Sequence, residues 1–168
     1  MIFSNELEEI PLIDEAVRGL NTEHGRLYRA AIRDDWKSIE NMPNILRRIG
    51  SSGVTTLHIA AAAGQEEFVK KLLMLIEDPH VPTVVNNVGM TALTYAAAVG
   101  NMNIAKAIVE KYGDPSIVNF GVKPLHMAAF LGHGHMVNYL YPITTLVGDE
   151  AIEVLINCAK NDLYGKHE

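Results

Sequence analysis

The chain has 168 residues, with 20 Asp and Glu against 14 Lys and Arg, a formal charge of −6, and 48% hydrophobic residues. That balance is ordinary for an ordered protein in water. It argues against a nucleic-acid surface, which needs clustered Lys and Arg to neutralise phosphates. Cys158 is alone, so no disulfide framework can form within the chain, and a reducing, cytoplasmic setting is expected.

Residues 1–24 read as an N-terminal arm or extra helix. Met1-Ile2-Phe3-Ser4-Asn5-Glu6 has no basic region, and Glu6, Glu8 and Glu9 interrupt any apolar run, so no secretory leader is expected. The longest apolar stretches, such as 72–76, fall far short of the ~20 residues a membrane span needs, so no membrane contact is expected from this segment.

From residue 25 a pattern recurs, Leu-x-x-Ala-Ala-x-x-(Gly/Asp). It reads Leu27-Ala30-Ala31-Asp34, Leu57-Ala60-Ala61-Gly64, Leu93-Ala96-Ala97-Gly100 and Leu125-Ala128-Ala129-Gly132, at intervals of 30, 36 and 32 residues. Such a period signals a stack of helix pairs, each too small to bury its apolar face without a neighbour. The first copy, about 25–51, has Asp34 in the turn-glycine place and Ile39 and Met42 on the second stripe. The second, about 52–86, is the cleanest: Thr55 is a good N-cap, Leu57, Ala60 and Ala61 share a face, and Gly64 suits a left-handed helix end. Phe68, Val69, Leu72 and Leu73 form its second helix.

The third copy, about 87–119, repeats that stripe as Ile104, Ala105, Ile108 and Val109. The fourth, about 120–150, has Met136, Val137, Leu140 and Tyr141. A truncated fifth, 151–164, starts from Leu155 and puts Cys158 in an alanine place, which marks a small packing residue rather than a nucleophile. Residues 165–168 form a tail. Segments 49–53, 86–89 and 119–121 are rich in Gly and Asn and suit projecting hairpin-like turns. Asp78-Pro79-His80-Val81-Pro82 is a longer insertion. Ile152, Leu155 and Ile156 suggest an uncapped apolar end, with fraying or end-to-end self-association as the expected result.

Gly53-Val54-Thr55-Thr56-Leu57-His58, Gly89-Met90-Thr91-Ala92-Leu93-Thr94 and Gly121-Val122-Lys123-Pro124-Leu125-His126 resemble the ankyrin repeat, Gly-x-Thr-Pro-Leu-His-x-Ala-Ala-x-x-Gly, over about residues 25–164. The copies depart from it at Thr56, Ala92, Thr94 and Lys123. The resemblance implies an all-α solenoid of helix-turn-helix pairs with projecting turns. Leu27-Tyr28-Arg29-Ala30-Ala31 with Asp34-Asp35-Trp36, and residues 155–164, also resemble repeats of plant ankyrin-repeat membrane proteins carrying a C-terminal PGG domain. That narrower likeness implies a cytoplasmic repeat domain of a longer, membrane-anchored signalling or stress-response protein.

The family likeness implies a protein-binding scaffold whose contacts come from the turn tips and the two residues before each turn glycine. Here those are Ser51, Ser52, Val54, Asn87, Val88, Met90, Asn119, Phe120 and Val122 at the tips, and Ile32, Arg33, Ala62, Ala63, Ala98, Val99, Phe130 and Leu131 on the palm. An exposed apolar patch of this kind marks an interaction site. Phe120, Phe130 and Met90 are the expected anchors for an apolar helix or extended segment. The alternative is that residues 1–24, with Ile10, Leu12, Ile13, Val17 and Leu20, cover the groove in cis.

His126, His133 and His135 invite a metal or hydrolytic reading. No Cys or carboxylate at ligand spacing completes a zinc set, and Gly132-His133-Gly134 lacks a third glycine and a preceding strand. No Gly-x-Ser-x-Gly elbow or oriented Cys-His pair is present. Neither metal, cofactor nor catalysis is expected. By the family motif, His58 and His126 hydrogen-bond backbone groups between successive turns, and Asp34-Asp35 and Glu66-Glu67 are expected at helix starts, where negative charge suits the dipole.

Overall fold

The structure, a computed structural model, describes residues 22–77, 84–112 and 122–163. Among them are eight α-helices: α1 (Glu23–Arg33), α2 (Thr56–Ala62), α3 (Glu66–Leu75), α4 (Ala92–Val99), α5 (Met102–Tyr112), α6 (Pro124–Phe130), α7 (Gly134–Leu140) and α8 (Glu150–Lys160). Helices α1, α2, α4, α6 and α8 form one layer in chain order, each packed on the next, and α3, α5 and α7 lie behind their partners α2, α4 and α6. A two-stranded ribbon, β1 (Arg48–Ile49) and β2 (Val54–Thr55), pairs antiparallel with Arg48 opposite Thr55 and Ile49 opposite Val54. The expected helical solenoid with a projecting hairpin is what forms.

The Leu-x-x-Ala-Ala frame supplies the seam. Leu27, Leu57, Leu93 and Leu125 and the alanines after them are all buried. Two small residues per turn let adjacent helices approach closely while each leucine fills the gap between them. Behind that seam, Phe68 is fully buried and meets Trp36 edge-on at 5.4 Å between ring centroids. Each first helix ends at a left-handed residue: Asp34 (φ 58), Gly64 (φ 72), Gly100 (φ 71), Gly132 (φ 79) and Asp162 (φ 53). At Gly100 the glycine is required twice, since a Cβ there would also lie 2.7 Å from Nδ1 of His133.

Side chains tie each unit to the next through backbone carbonyls. Gln65 Nε2 donates to Ile32 O, His133 Nε2 to Ala98 O at 2.8 Å, and Asn161 Nδ2 to Ala129 O at 2.8 Å. Ile32 O and Ala98 O lie at the ends of first helices, where the helix runs out of donors of its own, while Ala129 O also accepts from Gly132 N at 3.3 Å. Stacking therefore satisfies polar backbone as well as burying apolar surface.

Four expectations need correction. The stripe of the first copy forms no second α-helix: Trp36–Ser38 is a 3₁₀ turn, followed by turns that still bury Ile39. Pro43 disfavours helical backbone at Met42, and Asn44 turns the chain with φ 57. Tyr141 is exposed rather than part of the α7 stripe, because Pro142 cannot continue the helix and a 3₁₀ turn (Tyr141–Ile143) begins there. Asp34 closes α1 instead of starting a helix, and Asp35 Oδ1 caps the 3₁₀ turn by accepting from Ser38 N at 3.3 Å. The fourth is His126, which among the described residues makes no hydrogen bond to a neighbouring turn. The Asp78–Pro82 insertion and the turn at 119–121 lie outside the described residues.

Candidate partner-binding surface

The first helices carry a second face besides the seam. Ile59 and Ala62 on α2 with Ala63 directly after it, and Tyr95, Ala98 and Val99 on α4, recur at helical spacing and point to one side of the layer. Between α1, α2 and the ribbon this side sinks into an open hollow of about 510 Å³. Its lining is Tyr28, Ile32, Ser52, Val54, His58, Ile59, Ala62, Ala63 and Tyr95. The small, exposed Ala62 and Ala63 share this lining with the larger Tyr28 and Tyr95. Further along the same row the residues grow: Val99 is exposed, then Phe130 and Leu131, with Phe130 64% exposed.

Of the residues expected to bind a partner, Ile32, Ser52, Val54, Ala62 and Ala63 thus meet at one hollow. Ala98, Val99, Phe130 and Leu131 extend the row beyond it. Val88 and Val122 are exposed at or beside the turns, while Met90 is half-buried. Phe120 lies outside the described residues. Tyr28, Ile59 and Tyr95 were not anticipated. The motif points to the two residues before each glycine, but counting back three or four places along the same helical face reaches Ile59 and Tyr95.

The turns are held in place by the helix starts. His58 is 2% exposed and its Nδ1 accepts from Thr55 N at 3.1 Å, while Nε2 donates to Met90 O at 3.0 Å in the next turn. Those two bonds define the neutral tautomer with the proton on Nε2. Burial lowers the His58 pKa below 6.5, opposed by its backbone hydrogen bonds. Tyr95 meets its ring edge-on at 5.9 Å, so one wall of the hollow is braced by this histidine.

Thr94 takes the histidine's place one unit on. It closes a reciprocal cap with Thr91 and donates from Oγ1 to Val122 O at 3.1 Å. His126 does not follow suit, against expectation: Nε2 sits 3.8 Å from Glu153 Oε2, and its buried Nδ1 has no hydrogen-bond partner among the described residues. Lys123, standing where Thr55 stands two units earlier, reaches forward instead, donating to Thr145 O at 2.9 Å and Glu150 Oε2 at 2.7 Å.

Successive turns also touch directly. Asn87 N donates to Ser52 O at 3.0 Å and Asn87 Nδ2 to Ser51 O. Gly53 permits this contact: at φ +70 a Cβ would lie 2.5 Å from Asn87 Oδ1. The turn tips therefore present a coupled edge above the hollow. His133 is engaged with Ala98 O, as described above, and Cys158 is buried, which raises its thiol pKa.

A family model described as ankyrin repeats (3 copies) matches residues 57–149, and the chain belongs to that family. Among solved structures, it is similar to a chain in the crystal structure of the yeast ribosomal protein Rps3 in complex with its chaperone Yar1. The TM-score is 0.63 at 23% identity, over 71% of this chain and 91% of that one. At that identity the likeness concerns the fold. No curated protein matches. Ankyrin repeats are protein-interaction modules, and no helix among the described residues is long and apolar enough to cross a membrane.

Proposed function

We propose that this chain is a non-catalytic scaffold that holds a segment of another protein along its concave row and turn tips. The observation that carries this is the solvent-open apolar hollow over Ala62 and Ala63, continued by the exposed Val99, Phe130 and Leu131. Apolar surface of this extent, flanked by coupled polar turns, fits a partner presenting two or three large apolar side chains at helical or extended spacing. Ala62 and Ala63 leave room for the first, and Phe130 is itself a large group for the partner to enclose.

The test is affinity capture from a native extract using the chain, Ala62→Arg and Phe130→Glu in parallel. Both positions are exposed, so both variants should unfold at nearly the parent temperature. The reading expects proteins retained by the parent and lost from both variants. An unchanged set of captured proteins would refute it. A membrane-anchored plant signalling parent, with cytoplasmic repeats, is the finer form of this proposal. It rests on the sequence likeness at 27–36 and 155–164, and a transcript with apolar spans downstream of residue 168 would support it.

A further inference from the structure

The two ends of the helix layer differ in chemistry. At the α1 end, Arg26, Arg29 and Arg33 border a polar notch with Asp35 and Ser38. In the shared frame Arg26 stands where Thr56, Ala92 and Pro124 stand, and those three are buried within the stack. Guanidinium groups thus replace packing residues, giving the polar outer face that a terminal repeat needs.

The α8 end is the reverse. Leu155 and Ala159 occupy the places of Leu57 and Ala61, Leu93 and Ala97, and Leu125 and Ala129. Those six are buried by the following helix, whereas Leu155 and Ala159 are exposed. With a turn of about 100° per residue, Val154 and Cys158 face α6 and the core. Ile152, Ile156 and Ala159 centre on the opposite side. Ile152, Leu155 and Ile156 are 55%, 51% and 47% exposed. Beside them, Tyr141, Pro142, Leu155, Cys158 and Leu163 border a groove of about 350 Å³. Three internal interfaces of this molecule show what such a face packs against: another helix, laid side by side.

We propose that the α8 face packs against the α8 face of a second copy, antiparallel about a two-fold axis between Leu155 and Ile156. A head-to-tail arrangement would press Ile152, Leu155 and Ile156 onto Arg26 and Arg29 and leave guanidinium groups against apolar surface. The two-fold arrangement joins apolar face to apolar face and closes the assembly at two chains. In that register Ile152 lies against Ala159 of the second copy. Asp149, Glu153 and Lys160 share one flank of the helix, and the axis keeps like flank against like flank. Each Lys160 then sits about two residues, or ~3 Å along the axis, from Asp149 and Glu153 of the other copy. This surface is separate from the concave row, so each can fail without the other.

Sedimentation velocity over a wide concentration range decides the matter. The parent chain should move from monomer mass towards twice that mass and no further. Ile156→Glu should remain monomeric with an unchanged helical spectrum. Lys160→Glu should weaken association, and adding Asp149→Lys should restore it. A parent chain that stays monomeric would overturn the proposal, leaving the face to a following helix pair. So would growth beyond two chains, association that survives Ile156→Glu, or a charge swap that fails to restore pairing.

Discussion

Replacing His58 with alanine probes the link between the helix start and the next turn. The substitution removes the acceptor used by Thr55 N and the donor to Met90 O. Met90 O keeps a second donor, Asn86 N at 2.9 Å, so its loss is one net hydrogen bond, about 0.5–1.5 kcal/mol. Thr55 N, in a buried residue, loses this acceptor, at about 1–3 kcal/mol. His58 borders the open hollow, so water can reach part of the space left and keeps the total near the lower end of the sum. The expected cost is about 1.5–2.5 kcal/mol, read by urea unfolding followed by far-ultraviolet circular dichroism.

The same variant carries a pH signature. Burial holds the His58 pKa below its reference of 6.5, so the unfolded chain binds more protons than the folded one in that window. The stabilisation is complete above 6.5 and erodes as pH falls towards the lowered folded value. The parent should therefore lose more stability than His58→Ala between about pH 7.5 and about pH 5.5. A destabilisation under about 0.5 kcal/mol, or equal acid sensitivity in the two proteins, would refute the role assigned to this histidine.

Other expectations concern packing and backbone. Phe68→Ala should cost about 3–5 kcal/mol in the same urea assay, because a fully buried ring against Trp36 leaves a cavity. Gly53→Ala should lower the melting temperature through its positive φ, about 1–2 kcal/mol, and through displacement of Asn87. Loss of the Asn87 side-chain bond to Ser51 O should show as faster amide exchange at 51–53 and 86–88. Lys123→Ala should leave the other helices unchanged and speed amide exchange in α8, since Lys123 links α6 to Thr145 and Glu150.

Most of the scaffold could be read from residue spacing because one physical requirement repeats. Leu57, Ala60 and Ala61 must face a neighbouring helix, and residues 64, 100 and 132 must turn left-handed, so glycine and alanine recur at those places. Asp34 was legible as a turn residue because Asp tolerates the left-handed region better than most. Irregular parts escaped the frame for local reasons. Pro43 and Pro142 override the apolar stripe around them, and no periodic count registers a missing amide hydrogen. His126 copies the motif letter of His58, but Lys123 has replaced the threonine that completes the lock. The hollow itself was half legible: the palm residues were named, while Tyr28 and Tyr95 gain their role only when α1, α2 and α4 are laid side by side. The asymmetry between an arginine-faced and an aliphatic-faced end needs both ends placed in the same frame.

The most direct test of the account is hydrogen exchange by mass spectrometry on the chain with and without a captured partner. Slower exchange should concentrate in α2, α4 and the turns at 51–55 and 86–90, which border the hollow and its rim. Protection confined to the outer helices α3 and α5, with the concave row unaffected, would contradict it.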